Sequence, residues 1–301
     1  MKIGLVGLGK MGKNIAENLR DHGHEIICFD IAPASRQEAM DRGFTVFDTL
    51  EALVSNLSER KVIWLMVPCG SATNETILNL IPLLKAGDIL IDGGNSNYKD
   101  SIAHAQMCRQ AGEFFIDLGT SGGIEGARHG ACLMAGGEEE PCAYMRPVFM
   151  DAAVEHGYIY AGKSGAGHFM KMVHNGIEYG MMQAIGEGFH VLKQSEFHYD
   201  FEKVAENWSH GSVIRGWLMD LVKEQFSKHP DLADICGIVD ASGEASWMVQ
   251  TALEEEVPVP IIALSLMVRH ASQKEDCFSD KVVAALRNGF GGHAVREKKN
   301  V

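Results

Sequence analysis

An α/β fold, with an N-terminal doubly wound Rossmann-type domain followed by an all-helical C-terminal domain, is predicted by three features of this 301-residue chain. Short apolar runs alternate with helix-length amphipathic stretches up to about residue 160, the pattern of a mostly parallel sheet covered by helices. A glycine loop, Gly7-Leu8-Gly9-Lys10-Met11-Gly12, follows the first of those runs directly. After Gly162 the strand signal ceases and helical periodicity alone continues. The expected domains are 1–162, which carries the glycine loop, and 163–301, which is helical.

Taken in order, strands are predicted at 2–6, 25–29, 62–67, 89–91, 114–118 and 132–135, with helices around 12–22, 50–58, 72–84 and 98–111 between them. The second half carries helical segments at 165–195, 200–210, 213–226, 243–255, 260–271 and 278–288. No Pro/Gly linker separates the halves, so the long segment starting near 165 is expected to join them.

Composition narrows the class. With 46% hydrophobic and 22% charged residues the chain reads as globular and soluble. Its net charge of −13, with no basic block except the short 296–299 stretch, argues against a nucleic-acid or anionic-membrane surface. An anionic ligand must then meet a local basic pocket. Seven scattered cysteines lack any Cys-x-x-Cys pair or zinc-type His spacing, so they read as reduced thiols and no metal is implied. No signal peptide precedes the first strand and no apolar run reaches the roughly 18 residues of a membrane span. A cytoplasmic protein is expected.

The glycine loop gains its meaning from position, because Gly-x-Gly-x-x-Gly is weak alone. Gly7 suits the tight turn, Gly9 lets backbone approach a pyrophosphate, and Gly12 lets helix and strand pack closely. Leu8 and Met11 complete the loop, and Val67 closes the third predicted strand on the same edge. Asp30 ends the second strand 18 residues after Gly12, where a carboxylate accepts from ribose hydroxyls and repels a ribose phosphate. NAD is therefore favoured over NADP. Asn95, after the strand at 89–91, stands where both cofactor and substrate could be touched.

The most informative segment is Gly165-Ala-Gly-His-Phe-Met-Lys-Met-Val-His-Asn-Gly-Ile-Glu-Tyr-Gly180. At about 100° per residue, Lys171, Asn175 and Glu178 share one stripe of a helix, with His174 beside them. Phe169, Val173 and Ile177 fall on the opposite side, which is expected to be the core face. A polar stripe is ordinarily a solvated one. Four glycines in this stretch disfavour a helix, so close backbone or ligand approach is expected to select them.

These blocks, together with Ile91-Asp92-Gly93-Gly94-Asn95-Ser96, the run from Asp117 through Ser121-Gly122-Gly123 to Ala127, and Arg287-Asn288-Gly289-Phe290-Gly291-Gly292-His293, resemble the 6-phosphogluconate dehydrogenases. The family lies within the beta-hydroxyacid dehydrogenase superfamily, and the resemblance covers nearly the whole chain. It implies oxidative decarboxylation of 6-phosphogluconate to ribulose 5-phosphate and carbon dioxide in the pentose phosphate pathway. Lys171 is implied as the base that takes the hydroxyl proton, a role burial assists by favouring the uncharged amine. Glu178, about 10 Å further along the helix, is implied as the acid that protonates the first carbon of the enediol. Asn175 and His174 would orient the substrate, and Ser121, Gly122 and Gly123 would hold its acid end.

By the same resemblance Tyr179, Arg215 and Arg287 are ligands of the substrate phosphate, with His293 near by among the substrate-binding residues. The tail bearing the last two would enter a neighbouring subunit's site in a homo-oligomer, a dimer or tetramer. Two departures stand out. NADP-using relatives carry Asn-Arg-Thr after the second strand, where this chain has Asp30-Ile31-Ala32. The segment Asp240-Ala-Ser-Gly-Glu-Ala-Ser-Trp247, where the family places a phosphate-binding cation, has none, leaving the hydroxyls of Ser242 or Ser246. A dehydrogenase of a smaller acid such as 3-hydroxyisobutyrate, or a non-catalytic nucleotide sensor on the same fold, are the alternatives.

Overall fold

Burial on both faces explains why the first strands are almost wholly apolar. The computed structural model describes residues 1–58, 60–274 and 277–291. Strands β1 (Lys2–Val6), β2 (Glu25–Phe29), β3 (Thr45–Phe47), β4 (Val62–Leu65), β5 (Ile89–Asp92), β6 (Phe114–Ser121), β7 (Ala131–Gly137) and β8 (Ala153–Gly162) lie in one sheet ordered β3-β2-β1-β4-β5-β6-β7-β8. Neighbours are parallel except β6 and β7. Alternate residues face opposite layers: Ile3 and Leu5 join one buried cluster with Ile15, Trp64 and Phe149, whereas Val6 joins another with Leu53, Ile63 and Ile77.

Helices α1 (Lys10–Asp21), α2 (Pro33–Asp41), α3 (Leu50–Ser55), α4 (Ser71–Leu80), α5 (Tyr98–Ala111), α6 (Gly123–His129) and α7 (Glu139–Ala152) connect the strands. The order turns back between β1 and β4, the switch point at which doubly wound sheets bind dinucleotides. The glycine loop and Val67 both leave the sheet there. Strands β3 and β8 and helices α2, α6 and α7 go beyond the sequence expectation. β3 is only three residues long, and β8 is an outer strand with register shifts, half-exposed, with His156 at φ 62. Neither presents the buried run that marks an inner strand.

The chain divides into two compact units, Met1–Asn175 and Gly176–Val301, a division falling within the 29-residue α8 (Ala166–Gln194). In the second unit, α9 (Phe201–Ser209), α10 (Trp217–Lys228), α11 (Glu244–Glu254), α12 (Pro260–Ser272) and α13 (Phe278–Gly291) follow. Phe189, Ala205, Met219 and Phe226 form one buried cluster there, and Tyr179, Ala245 and Leu266 another. Among the described residues no helix is long and apolar enough to cross a membrane.

Candidate active site

The glycine loop has the geometry its spacing requires. Gly7 adopts φ 96, and a Cβ there would meet the Met66 carbonyl oxygen at 2.5 Å. A Cβ on Gly12 would lie 1.9 Å from the Gly7 carbonyl oxygen, so only glycine lets α1 start this close to β1. Around Gly9 nothing lies within 4 Å of a Cβ, leaving its backbone open to a ligand. This open backbone at the N-terminus of α1 fits a pyrophosphate.

Asp30 is more engaged than its sequence position suggests. Its Oδ2 accepts from Leu8 N at 2.6 Å and its Oδ1 from Ala32 N at 2.7 Å. The carboxylate thus pins the glycine loop to the end of β2, and each oxygen keeps a second lone pair for a ribose hydroxyl. Arg36 donates to the carbonyls of Asp30 and Ile31 and pairs with Asp48. Leu8 is buried, and Met11 and Val67 are half-buried against the core clusters. Asn95 lies in a turn folded around buried Asp92, which accepts from Gly94 N at 3.0 Å and from Ser96 Oγ at 2.7 Å.

At the carboxyl end of β6 the expected catalytic side chains come together. Lys171 Nζ donates to Asn175 Oδ1 at 2.6 Å and lies 3.4 Å from His174 Nδ1, which is itself 3.0 Å from Asn175 Oδ1. On its other side His174 Nε2 is hydrogen-bonded to Ser121 Oγ at 3.1 Å. Ser121 ends β6, Gly122 takes φ 116, and Gly123 opens α6. Glu178 follows on the same stripe of α8, half-buried.

The two faces of α8 are the reverse of the expectation. Lys171 and Asn175 are buried, at 7% and 8% exposure, whereas Phe169 and Ile177 of the supposed core face are 37% and 51% exposed. Periodicity separates two faces but does not say which one meets the sheet. Glycines decide it: a Cβ at Gly119 of β6 would lie 2.6 Å from Lys171 Cβ, and one at Gly167 would lie 2.4 Å from the carbonyl oxygens of Asp117 and Met134.

Three contributors went unseen in the sequence. Asp117 of β6 is wholly buried, its carboxyl pushed upward by desolvation, and its oxygens accept from Gly165 N and His168 N at the start of α8. Gly119 makes room for Lys171. In the second unit the Arg269 guanidinium stacks 3.5 Å from the centroid of the Tyr179 ring and donates to the Asp240 carbonyl at 3.4 Å. The hydroxyl of buried Tyr179 accepts from Ser242 N at 3.4 Å. A cation therefore does stand beside the 240–247 segment, supplied by α12, and the signal for it was spatial. Arg215 is exposed and donates to the Ser212 carbonyl, and Arg287 is exposed on α13. No hydrogen bond among the described residues joins either to Tyr179. His293 lies outside the described residues.

A family model for the NAD binding domain of 6-phosphogluconate dehydrogenase matches residues 2–162, and one for the C-terminal domain of 6-phosphogluconate dehydrogenase matches residues 167–300. The chain belongs to the 6-phosphogluconate dehydrogenase family. It is 50% identical over 298 residues to YqeC of Bacillus subtilis (strain 168), itself a 6-phosphogluconate dehydrogenase by assignment only, covering 99% of this chain and 100% of that one. To the NAD(+)-dependent, decarboxylating 6-phosphogluconate dehydrogenase of Haloferax volcanii it is 42% identical over 300 residues, with 99% of each covered. The solved Plasmodium falciparum 6-phosphogluconate dehydrogenase, studied alone and with NADP+ or 6-phosphogluconate, shares the fold at a TM-score of 0.84 and 28% identity, over 100% of this chain and 67% of that one.

Proposed function

We propose that this chain oxidises 6-phosphogluconate at its third carbon and decarboxylates the product to ribulose 5-phosphate and carbon dioxide, with NAD preferred over NADP. The observation that carries the reading is the network at the carboxyl end of β6 in which buried Lys171 and Asn175 meet half-buried His174 and Ser121. Gly7, Gly9, Gly12 and Asp30 would hold the dinucleotide, which when bound accepts the hydride from the third carbon. Lys171 takes the proton from the hydroxyl on that carbon and returns one to the same oxygen as the carboxylate leaves. Asn175 and His174 fix the amine and the hydroxyl relative to each other. Glu178, seven residues on along the same stripe, protonates the first carbon of the enediol.

At the phosphate end, Tyr179, Ser242 and Arg269 form the recognition group, Arg being suited to bidentate phosphate contact. Arg287 and His293 are assigned to a neighbouring subunit's site. Support for an oligomer comes from α12, where Ile261, Leu264, Met267 and Val268 are 68%, 59%, 61% and 44% exposed; apolar stripes of this kind mark association surfaces. A cytoplasmic compartment goes with this reading, since there buried cysteines such as Cys28, Cys108 and Cys142 stay reduced thiols. Steady-state rates with 6-phosphogluconate and with gluconate, each against NAD and NADP, test the assignment. The phosphorylated acid with NAD should be favoured by kcat/KM, and equal use of gluconate would point to a smaller-acid dehydrogenase.

A further inference from the structure

Behind the Lys171 network, within the same unit, a set of polar side chains is buried where apolar ones would suffice for packing. Asp117 and Ser101 are 0% exposed and His168 is 1% exposed. Asp117 Oδ1 accepts from Gly165 N at 2.7 Å and Oδ2 from His168 N at 2.9 Å, so one carboxylate grips the first turn of α8 at two points. Ser101, from α5, holds His168 Nδ1 at 2.7 Å, and its hydroxyl also lies 3.2 Å from the Asn97 carbonyl. His168 Nε2 is buried without a hydrogen-bond partner among the described residues. A buried imidazole with one nitrogen unmatched is a poorer filler than an aliphatic side chain. Its directional bond to Ser101 is what an aliphatic side chain could not make.

We propose that His168, held between Ser101 and Asp117, is a positioning residue for Lys171. His168 lies three residues before Lys171, on a neighbouring part of the same helix face. Its two anchors come from different elements, the side chain from α5 and the backbone from β6, and together they fix both the rotation and the axial position of the first turn. There is little slack beyond that turn, because the Lys171 Cβ packs against the bare Gly119 backbone. A small rotation of α8 would carry Lys171 Nζ, and Asn175 with it, away from the reacting hydroxyl, and would pull His174 from Ser121 of β6. Apolar packing alone resists such sliding less well than hydrogen bonds of fixed direction.

The inference rests on Lys171 being the base, and one set of variants separates the two ideas. Ser101→Ala and His168→Leu should each lower kcat by about 10- to 100-fold, the scale of a misplacement of about 1 Å, while NADH binding followed by fluorescence is unchanged. With substrate deuterated at the third carbon, their isotope effect on kcat should rise as the oxidation step becomes rate-limiting. His168→Asn, whose amide nitrogen can stand where Nδ1 does, should recover most of the loss. Wild-type kcat and isotope effect in Ser101→Ala and His168→Leu, beside an inert Lys171→Ala, would remove the positioning role and leave the base in place. An active Lys171→Ala would remove the base, and the positioning role with it. Activity lost only in proportion to lost NADH binding would also overturn the proposal, and if His168→Leu does not fold, Ser101→Ala decides by the same readouts.

Discussion

Lys171 is buried although it is a lysine, and glycine makes that possible. A Cβ at position 119 would stand 2.6 Å from Lys171 Cβ and 2.9 Å from the Gly167 carbonyl oxygen. Gly119→Ala should therefore force α8 outward, with a loss of about 1–3 kcal/mol in stability and a fall in kcat of at least about tenfold. A thermal melt and steady-state kinetics on the purified variant check both, and a wild-type value for kcat would show that Lys171 tolerates the displacement. Under the proposed function Glu178 is assigned a separate task, the last proton transfer. Glu178→Ala should slow turnover by about 10²-fold, and in a single turnover NADH and carbon dioxide should appear faster than ribulose 5-phosphate. If all three products slow together, Glu178 acts before decarboxylation.

At the scale of elements, the strand starts hold a different charge problem from the strand ends. Glu113, just before β6, is 4% exposed, with Oε2 unmatched and Asp88 near by. Desolvation first, and the Asp88 charge second, push its carboxyl from 4.5 up to about 7. The folded state thus binds a proton that the unfolded chain releases, so stability is fully kept below about pH 4.5 and is lost as pH rises through about 7. Glu113→Gln should raise stability at pH 8 by on the order of 2 to 3 kcal/mol and leave it unchanged at pH 4; chemical denaturation at the two pH values reads the difference. Equal effects at both would mean that the charge is not what strains the site. The elements also show what sequence could carry. The glycine loop, Asp30 and the stripe on α8 were legible because each is a local spacing. The buried direction of that stripe was not, because it depends on Gly119, Gly136 and Gly167 meeting across β6, β7 and α8. Asp117 was read only as part of a run, since a buried carboxylate capping a helix 48 residues away leaves no local trace.

For the molecule as a whole, the doubly wound sheet followed by helices was legible from alternation, and β3 and β8 escaped it as outer strands without a buried run. Arg269 was missed for the same reason as Asp117: it reaches Tyr179 from another helix. In the proposed oligomer the exposed apolar stripe of α12 is covered by a second subunit. Light scattering coupled to size exclusion should give at least twice the 32.9 kDa of one chain, and removal of residues 287–301 should abolish turnover while NADH binding persists. A fully active monomer would contradict both the shared site and the role given to Arg287. The central claim is that one buried amine drives oxidation and decarboxylation together. It is tested most directly by measuring NADH and carbon dioxide formed from 6-phosphogluconate by the wild type and by Lys171→Ala. Equal yields of the two products in the wild type, and loss of both by about a thousandfold in the variant, are expected. NADH without carbon dioxide, or a variant within about tenfold of the wild type, would contradict it.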